Sequence, residues 1–369
     1  MKIRYALLVV LMAGGLLGSF VARSQDLPES LLTRLANADE GQLRILLQRF
    51  PVADANGDGR LTREEAITYA RTAIKGGGAA QGKSGSGKGP LPLHADIAYG
   101  PADRNVLDFW KAEGEGARPL VVFIHGGGFT GGDKSNWRGS SQMKRLLDSG
   151  VSCAAINYRF RKDAPIQDIL RDAARAVQFL RAQATEWEID KTRFAGWGGS
   201  AGAGTSLWLA ARDDLAEAAA SDPILRESSR LQAAVLESTQ ATYDLTRWES
   251  FLGPADPSWW KSPNETAEFY HFTKLSDLAT PEALLVLHEC DMLRWITPGD
   301  GPVFINNRLP DGPSKDRNHY LHHPGHAREI ESACENAGVR CFWVESAKHK
   351  ATDTDPVEFV LNVLLSGGG

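Results

Sequence analysis

Beyond residue 90 the chain alternates short apolar runs with longer stretches whose apolar positions recur every three or four residues. The runs are Leu93 to Ala98, Val106 to Lys111, Leu120 to His125, Val151 to Tyr158, Arg193 to Gly198 and Ala233 to Glu237. Helical periodicity fills Ile166 to Ala184 and Ala201 to Arg212. Strands that are apolar on both faces, separated by amphipathic helices, predict an α/β fold with a mostly parallel sheet covered on both sides. Farther on, Pro281 to about Leu293 reads as a helix opened by proline, and Pro302 to Asn307 as the penultimate strand. A helix from Pro324 to Ala337, a last strand from Val339 to Glu345 and a helix from Pro356 to Leu365 complete the pattern.

The first 90 residues follow other rules. Lys2 and Arg4 precede an apolar stretch from Ala6 to Val21, and Ala22-Arg23-Ser24 supplies small residues at a cleavage position. That order predicts a signal peptide over 1–24, with an uncleaved membrane anchor as the alternative. Its removal takes away Lys2, Arg4 and Arg23 and no acid, so the formal charge of −5 becomes −8. The mature protein is expected to be acidic, secreted or periplasmic, without a membrane span. No long basic run appears after the first few residues, so no nucleic-acid partner is expected.

Two helical segments follow, Leu31 to Phe50 and Thr62 to Ile74, around the sequence DANGDGRLTREE from Asp54 to Glu65. Oxygen donors fall at Asp54, Asn56, Asp58 and Glu65, with Thr62 between them, the Arg60 carbonyl at the seventh position and Gly59 at the turn. This is the spacing by which an EF-hand loop folds enough oxygens around one Ca2+. A structural calcium ion is therefore expected in a helical EF-hand module over 25–75, a plain polar turn being the alternative. A single such loop favours a structural or docking role over sensing. Residues 76–90, rich in glycine and serine, predict a linker to a second domain over 91–369.

With 42% hydrophobic residues and only four cysteines in 369, the chain must be held by packing. Cys334 and Cys341 are close enough in sequence to pair, or remain free buried thiols.

Its chemistry is concentrated at two glycine motifs. The strand ending in Trp197 runs into Gly198-Gly199-Ser200-Ala201-Gly202 and then a helix, the strand–turn–helix context that a G-x-S-x-G nucleophile requires. The strand Leu120 to Ile124 ends in His125-Gly126-Gly127-Gly128-Phe129. Bare backbone N–H groups of such a loop, joined by that of Ala201, are suited to an oxyanion.

Together these motifs resemble the hormone-sensitive-lipase-like and related carboxylesterase branches of the α/β-hydrolase superfamily, which include secreted esterases acting on acetylated or feruloylated plant polysaccharides. Ala98-Tyr-Gly-Pro101, Leu107-Asp-Phe109 and Asn157-Tyr-Arg159 extend the resemblance over residues 91 to 365. It implies an α/β-hydrolase fold, oxyanion donors at Gly127, Gly128 and Ala201, and hydrolysis of small or polysaccharide-borne esters with no cofactor in catalysis. Gly199 departs from the pattern, since many members carry an acid before the serine.

A serine of this kind needs a histidine and a carboxylate, in the chain order Ser, Asp or Glu, His. His349, in the loop after the last strand, is the expected base. Asp311 is the favoured acid because it is the first carboxylate after the penultimate strand, with Asp291 and Asp316 as alternatives. Its context, Arg308-Leu-Pro310-Asp311, is not the family's Gly-x-x-Asp. His322, His323 and His326 form H-H-x-x-H beside Pro324, which reads as a helix cap in preference to a metal site. The aromatic residues Trp248, Phe251, Trp259, Trp260, Phe269, Tyr270 and Phe272 lie in an insertion at about 240–280, either lining a substrate cleft or forming its own small core. A peptidase of the same fold and a non-catalytic binding protein with a degraded triad are the rival readings.

Overall fold

The structure, a computed structural model, describes residues 35–49, 60–67, 89–344 and 355–365. The chain divides into two compact units, Met1–Lys83 and Ser84–Gly369.

In the first unit, helix α1 (Glu40–Arg49) begins at a reciprocal cap. The Gln42 amide donates to Asp39 Oδ1 at 2.8 Å, and the Asp39 amide donates to Gln42 Oε1 at 2.9 Å. A helical run at 63–67 opens in the same way: the Thr62 amide donates to Glu65 Oε2 and the Glu65 amide to Thr62 Oγ1. Arg63 Nε donates to the Ala38 carbonyl at 2.7 Å, and Leu35, Ala38, Leu43, Leu61 and Ala66 are buried. The expected signal peptide and the calcium donors Asp54, Asn56 and Asp58 lie outside the described residues.

The second unit is built on an eight-stranded sheet in the order β1-β2-β4-β3-β5-β6-β7-β8. The strands are β1 (His94–Ala98), β2 (Val106–Trp110), β3 (Arg118–Ile124), β4 (Ser152–Ile156), β5 (Ile189–Gly199), β6 (Ala233–Glu237), β7 (Val303–Asn306) and β8 (Cys341–Trp343). β1 pairs antiparallel with β2, and β2 with β4; every other pair is parallel. The central strands are buried on both faces, as in Leu120-Val-Val, because helices cover each side. Burying each such side chain stabilises the fold by roughly 1.5–3 kcal/mol before entropy is counted.

The helices are α2 (Ser141–Asp148), α3 (Ile166–Ala182), α4 (Ala201–Ala211), α5 (Trp248–Leu252), α6 (Glu265–Glu268), α7 (Pro281–Cys290), α8 (Met292–Trp295), α9 (Arg317–Leu321), α10 (Pro324–Ala337) and α11 (Pro356–Leu365). The proline-opened helix at 281 and the strand at 303 appear as the sequence pattern predicts. α2 was not predicted, because in so short a helix only Met143 and Leu146 turn inward, too few to set a period. All four cysteines are free thiols, and Cys334 and Cys341 lie side by side with the Cys341 thiol pushed up by its neighbour and by burial.

Every residue of α4 is buried, which its small side chains permit. Its two hydroxyls are satisfied within the helix, Thr205 donating to the Ala201 carbonyl and Ser206 to the Gly202 carbonyl. α4 runs beneath the sheet with its N-terminus at the carboxyl end of β5, the edge at which open α/β sheets place their ligands.

Candidate active site

Ser200 sits between β5 and α4 at φ 51°, ψ −119°, a conformation that costs a non-glycine residue roughly 1–3 kcal/mol. The Ser200 amide, donating to the Glu237 carbonyl at 2.8 Å, ties the turn to the end of β6. Close approach of backbones makes the strain possible. A Cβ on Gly202 would lie 1.9 Å from the Ile124 carbonyl oxygen, so only glycine lets α4 start against the end of β3.

The loop after β3 is fixed from below by a neutral histidine. His125 is fully buried, and its ring stacks on Tyr158 at 4.2 Å between centroids. Its Nδ1 donates to the Gly126 carbonyl at 2.8 Å, which leaves Nε2 as the acceptor facing Arg104 Nη2 at 3.3 Å. Burial lowers its pKa to about 4. Tyr158 donates its hydroxyl to the His125 carbonyl, and the Arg161 amide donates to the Phe129 carbonyl. Gly127 stands at φ 110°, a region closed to side chains, and this turns the loop over the serine. Gly128, Ser200 and Ala201 line one cleft of about 80 Å³.

The histidine that meets Ser200 is His322. Its Nε2 lies 2.8 Å from Ser200 Oγ. Its Nδ1 lies 3.0 Å from the Asn318 carbonyl oxygen and 3.1 Å from Asn318 Oδ1. Two acceptors at Nδ1 place the ring proton there, so Nε2 is left to accept from the serine hydroxyl. Asn318 reaches His322 because they are one turn apart, on α9 and at its C-cap. Burial lowers the His322 pKa, and the Asn318 carbonyl opposes the shift.

Asp311 is exposed after β7, where Arg328 holds its carboxylate through two hydrogen bonds of 2.9 and 3.1 Å. His323, the neighbour of His322, is 3.8 Å from it. Asp316 caps α9, accepting from the His319 amide at 2.8 Å. Asp291 is fully buried between Arg247 and Arg294. The structure thus brings none of the three expected acids to His322, and His349 lies outside the described residues. At the end of β7 stands Asn307, locked to Thr239 by hydrogen bonds in both directions. In the sequence His322 is one histidine of H-H-x-x-H, with nothing local to set it apart. The other two histidines are structural: His323 caps α10 through the Gly325 amide, and buried His326 accepts from the Ala241 amide.

The insertion divides its aromatic residues between both expected roles. Trp248, Trp260 and Phe269 line the cleft, with Tyr243 and Leu321. Tyr270 is buried, donating to the Tyr243 carbonyl, and Phe251 packs on His326.

A parallel sheet with an antiparallel edge, a strained serine between strand and helix, and a histidine delivered to it from beyond β7 define an α/β-hydrolase fold with a serine-centred site. The BD-FAE family model matches residues 107–305, more than half of the chain, and the chain belongs to the BD-FAE family. Among curated proteins it is similar to the "Probable carboxylic ester hydrolase LipM" of Mycobacterium tuberculosis, 32% identical over 46% of this chain and 42% of that protein. "Esterase LipQ" of the same organism is 32% identical over 42% of this chain and 37% of its own length. The chain thus spans about two fifths of the length of these relatives. Among solved structures, a "Truncated form of carbohydrate esterase from gut microbiota" superposes with TM-score 0.56 at 15% identity, covering 75% of this chain and 98% of that one. An acetyl ester-xyloside bifunctional hydrolase from Caldicellulosiruptor lactoaceticus gives TM-score 0.51 at 16% identity, covering 74% and 96%. At these identities the likeness concerns the fold.

Proposed function

We propose that the protein is a secreted serine hydrolase of carboxylic esters, and the observation that carries this reading is the 2.8 Å contact of Ser200 Oγ with His322 Nε2 inside the glycine-lined cleft. Ser200 attacks the ester carbonyl as its proton passes to Nε2. The resulting imidazolium keeps its Nδ1 proton on the two Asn318 oxygens. Negative charge on the carbonyl oxygen is met by the backbone N–H groups of Gly127, Gly128 and Ala201, the last at the positive end of α4. His322 returns the proton to the leaving alcohol. Water, deprotonated by the same ring, then releases the acid and restores Ser200. The curated carboxylic ester hydrolase and esterase relatives support the same chemistry, and the structurally similar carbohydrate esterase and acetyl ester-xyloside hydrolase support small or polysaccharide-borne esters as substrates.

Asn318 offers neutral oxygens where a carboxylate is usual, so the imidazolium gains orientation and little charge stabilisation. A modest turnover is the expected consequence. Labelling with a fluorophosphonate, together with turnover of 4-nitrophenyl acetate by the protein and its Ser200→Ala variant, tests the reading. Unlabelled Ser200, or equal turnover by the variant, refutes it.

The N-terminal module is proposed to bind one structural Ca2+ through Asp54, Asn56, Asp58, the Arg60 carbonyl and Glu65. The oxygen spacing in the sequence supports it, as does the position of Glu65 within the helical run at 63–67. A melting temperature unmoved by calcium in the full chain rejects it.

A further inference from the structure

Three charged side chains line the Ser200 cleft: Arg161, Arg317 and Glu265. Glu265 is fully engaged by one of the arginines. Arg317 Nη2 donates to its Oε1 at 2.7 Å and Nη1 to its Oε2 at 3.0 Å, while the Lys261 amide adds 2.7 Å to Oε2. Arg317 also donates to the Trp259 carbonyl and lies over the Trp260 ring. Its guanidinium is well satisfied.

Arg161 is not. Its nearest carboxylate oxygen, Glu265 Oε1, is 3.8 Å from Nη1, beyond hydrogen-bond reach. Its Nε is buried with no partner, and its side chain is only 18% exposed. Among the described residues the guanidinium also lies against the face of Phe269, 4.9 Å from the ring centre to Cζ. Glu268, on the same helix as Glu265, spends its carboxylate on Ser262. Burial lowers the Arg161 pKa and Arg317 reinforces the shift, while Glu265 and Glu268 oppose it without a hydrogen bond to the guanidinium. The backbone that carries the guanidinium is fixed, because the Arg161 amide donates to the Phe129 carbonyl in the glycine loop and the Arg161 carbonyl lies 2.7 Å from His271 Nε2. A buried guanidinium with spare donors beside a nucleophile is matched by a planar anion that accepts two hydrogen bonds.

We infer that the cleft selects esters bearing a free carboxylate on their acyl or alcohol part, with Arg161 as the residue that anchors it. The inference rests on the hydrolase reading for turnover but not for binding. The carboxylate pairs with a cation already desolvated by the fold, so the arginine confers specificity on a cleft otherwise walled by Phe129, Trp248, Trp260 and Phe269.

Two substrate pairs test it, each an acid against its methyl-capped mate. One pair is mono(4-nitrophenyl) adipate and its methyl ester, with the charge on the acyl side. The other is 3-carboxyphenyl acetate and its methyl ester, with the charge on the alcohol. The expected result is that in at least one pair the acid is preferred in kcat/KM by about tenfold or more. Arg161→Gln brings that ratio towards one, and Arg161→Lys lies between. In the unsubstituted protein the ratio falls as salt rises from about 20 to about 500 mM, a readout that needs no variant to fold. Calorimetry with adipate itself separates the two readings. Binding that Arg161→Gln removes, with no turnover of any ester, upholds the anion site and sinks the hydrolase. Turnover without an acid preference, or a preference unchanged in Arg161→Gln, overturns the anion site and leaves the hydrolase standing.

Discussion

His322 turns its Nδ1 towards both oxygens of Asn318, at 3.0 and 3.1 Å, and its Nε2 towards Ser200. The backbone carbonyl of Asn318 also accepts from the His322 amide at 3.2 Å, so ring orientation is built into one turn of helix. The proposed base therefore takes its orientation, among the described residues, from α9.

Replacing His322 by Ala is expected to lower kcat/KM for 4-nitrophenyl acetate about a thousandfold or more, and Ser200→Ala by at least as much. The companion variant His349→Ala is expected to lose less than about tenfold. Steady-state kinetics on the three proteins assign the base, and the reverse order for the two histidines returns it to His349.

Asn318 offers a graded test. Asn318→Ala keeps the backbone carbonyl at Nδ1, so a loss of only about threefold to tenfold is expected. Asn318→Asp places a negative charge beside the ring and should raise the pKa of His322. In the unsubstituted protein burial holds that pKa below 6.5, so the acid limb of kcat/KM is expected to have its midpoint below 6.5. The pH profile of Asn318→Asp should show its acid limb displaced upward. A limb that stays in place means that Asn318 does not face the catalytic ring.

For Asp311, the bonds to Arg328 predict little. The pair is exposed, and such pairs contribute about 0–1 kcal/mol. Asp311→Ala should leave kcat/KM within about threefold and the urea midpoint nearly unmoved. A loss of several hundredfold would restore it as the triad acid.

Gly202→Ala addresses the fold. A methyl 1.9 Å from the Ile124 oxygen forces β3 and α4 apart, at an expected cost above about 3 kcal/mol in urea unfolding, or failure to fold. An unchanged unfolding curve would show that this contact has room to yield.

Two buried histidines set the acid limit of stability. Burial lowers His125 to about 4 and His326 to about 3 from an ordinary 6.5. Their folded-state pKa values are depressed, so the unfolded chain binds their protons first. Their contribution is full above about 6.5 and drains away as pH falls towards 3, His125 costing on the order of 3 kcal/mol and His326 on the order of 5 kcal/mol. Urea unfolding at pH 7 and pH 5 measures the decline. His326→Asn, which keeps a donor and an acceptor without a titrating ring, should flatten part of it.

The sequence by itself determined the sheet, the elbow and the loop above it. Short apolar runs bounded by turn residues and alternating with amphipathic helices read as central strands, and the glycines of both motifs mark the turns where backbone must approach backbone. Local rules also placed α7, opened by Pro281, and so made Val303–Asn306 the strand before the last. What only the tertiary structure decided was the partner of Ser200. A histidine's sequence records its capacity to carry a proton but not which way its ring faces. Of the three in H-H-x-x-H, His323 is spent on capping α10 and His326 on core hydrogen bonds, and only His322, at the end of α9, is aimed across the cleft. Arg161 is a case of the same kind. Nothing in its neighbours along the chain shows that Glu265 would be taken by Arg317, leaving one guanidinium beside the serine without an acceptor.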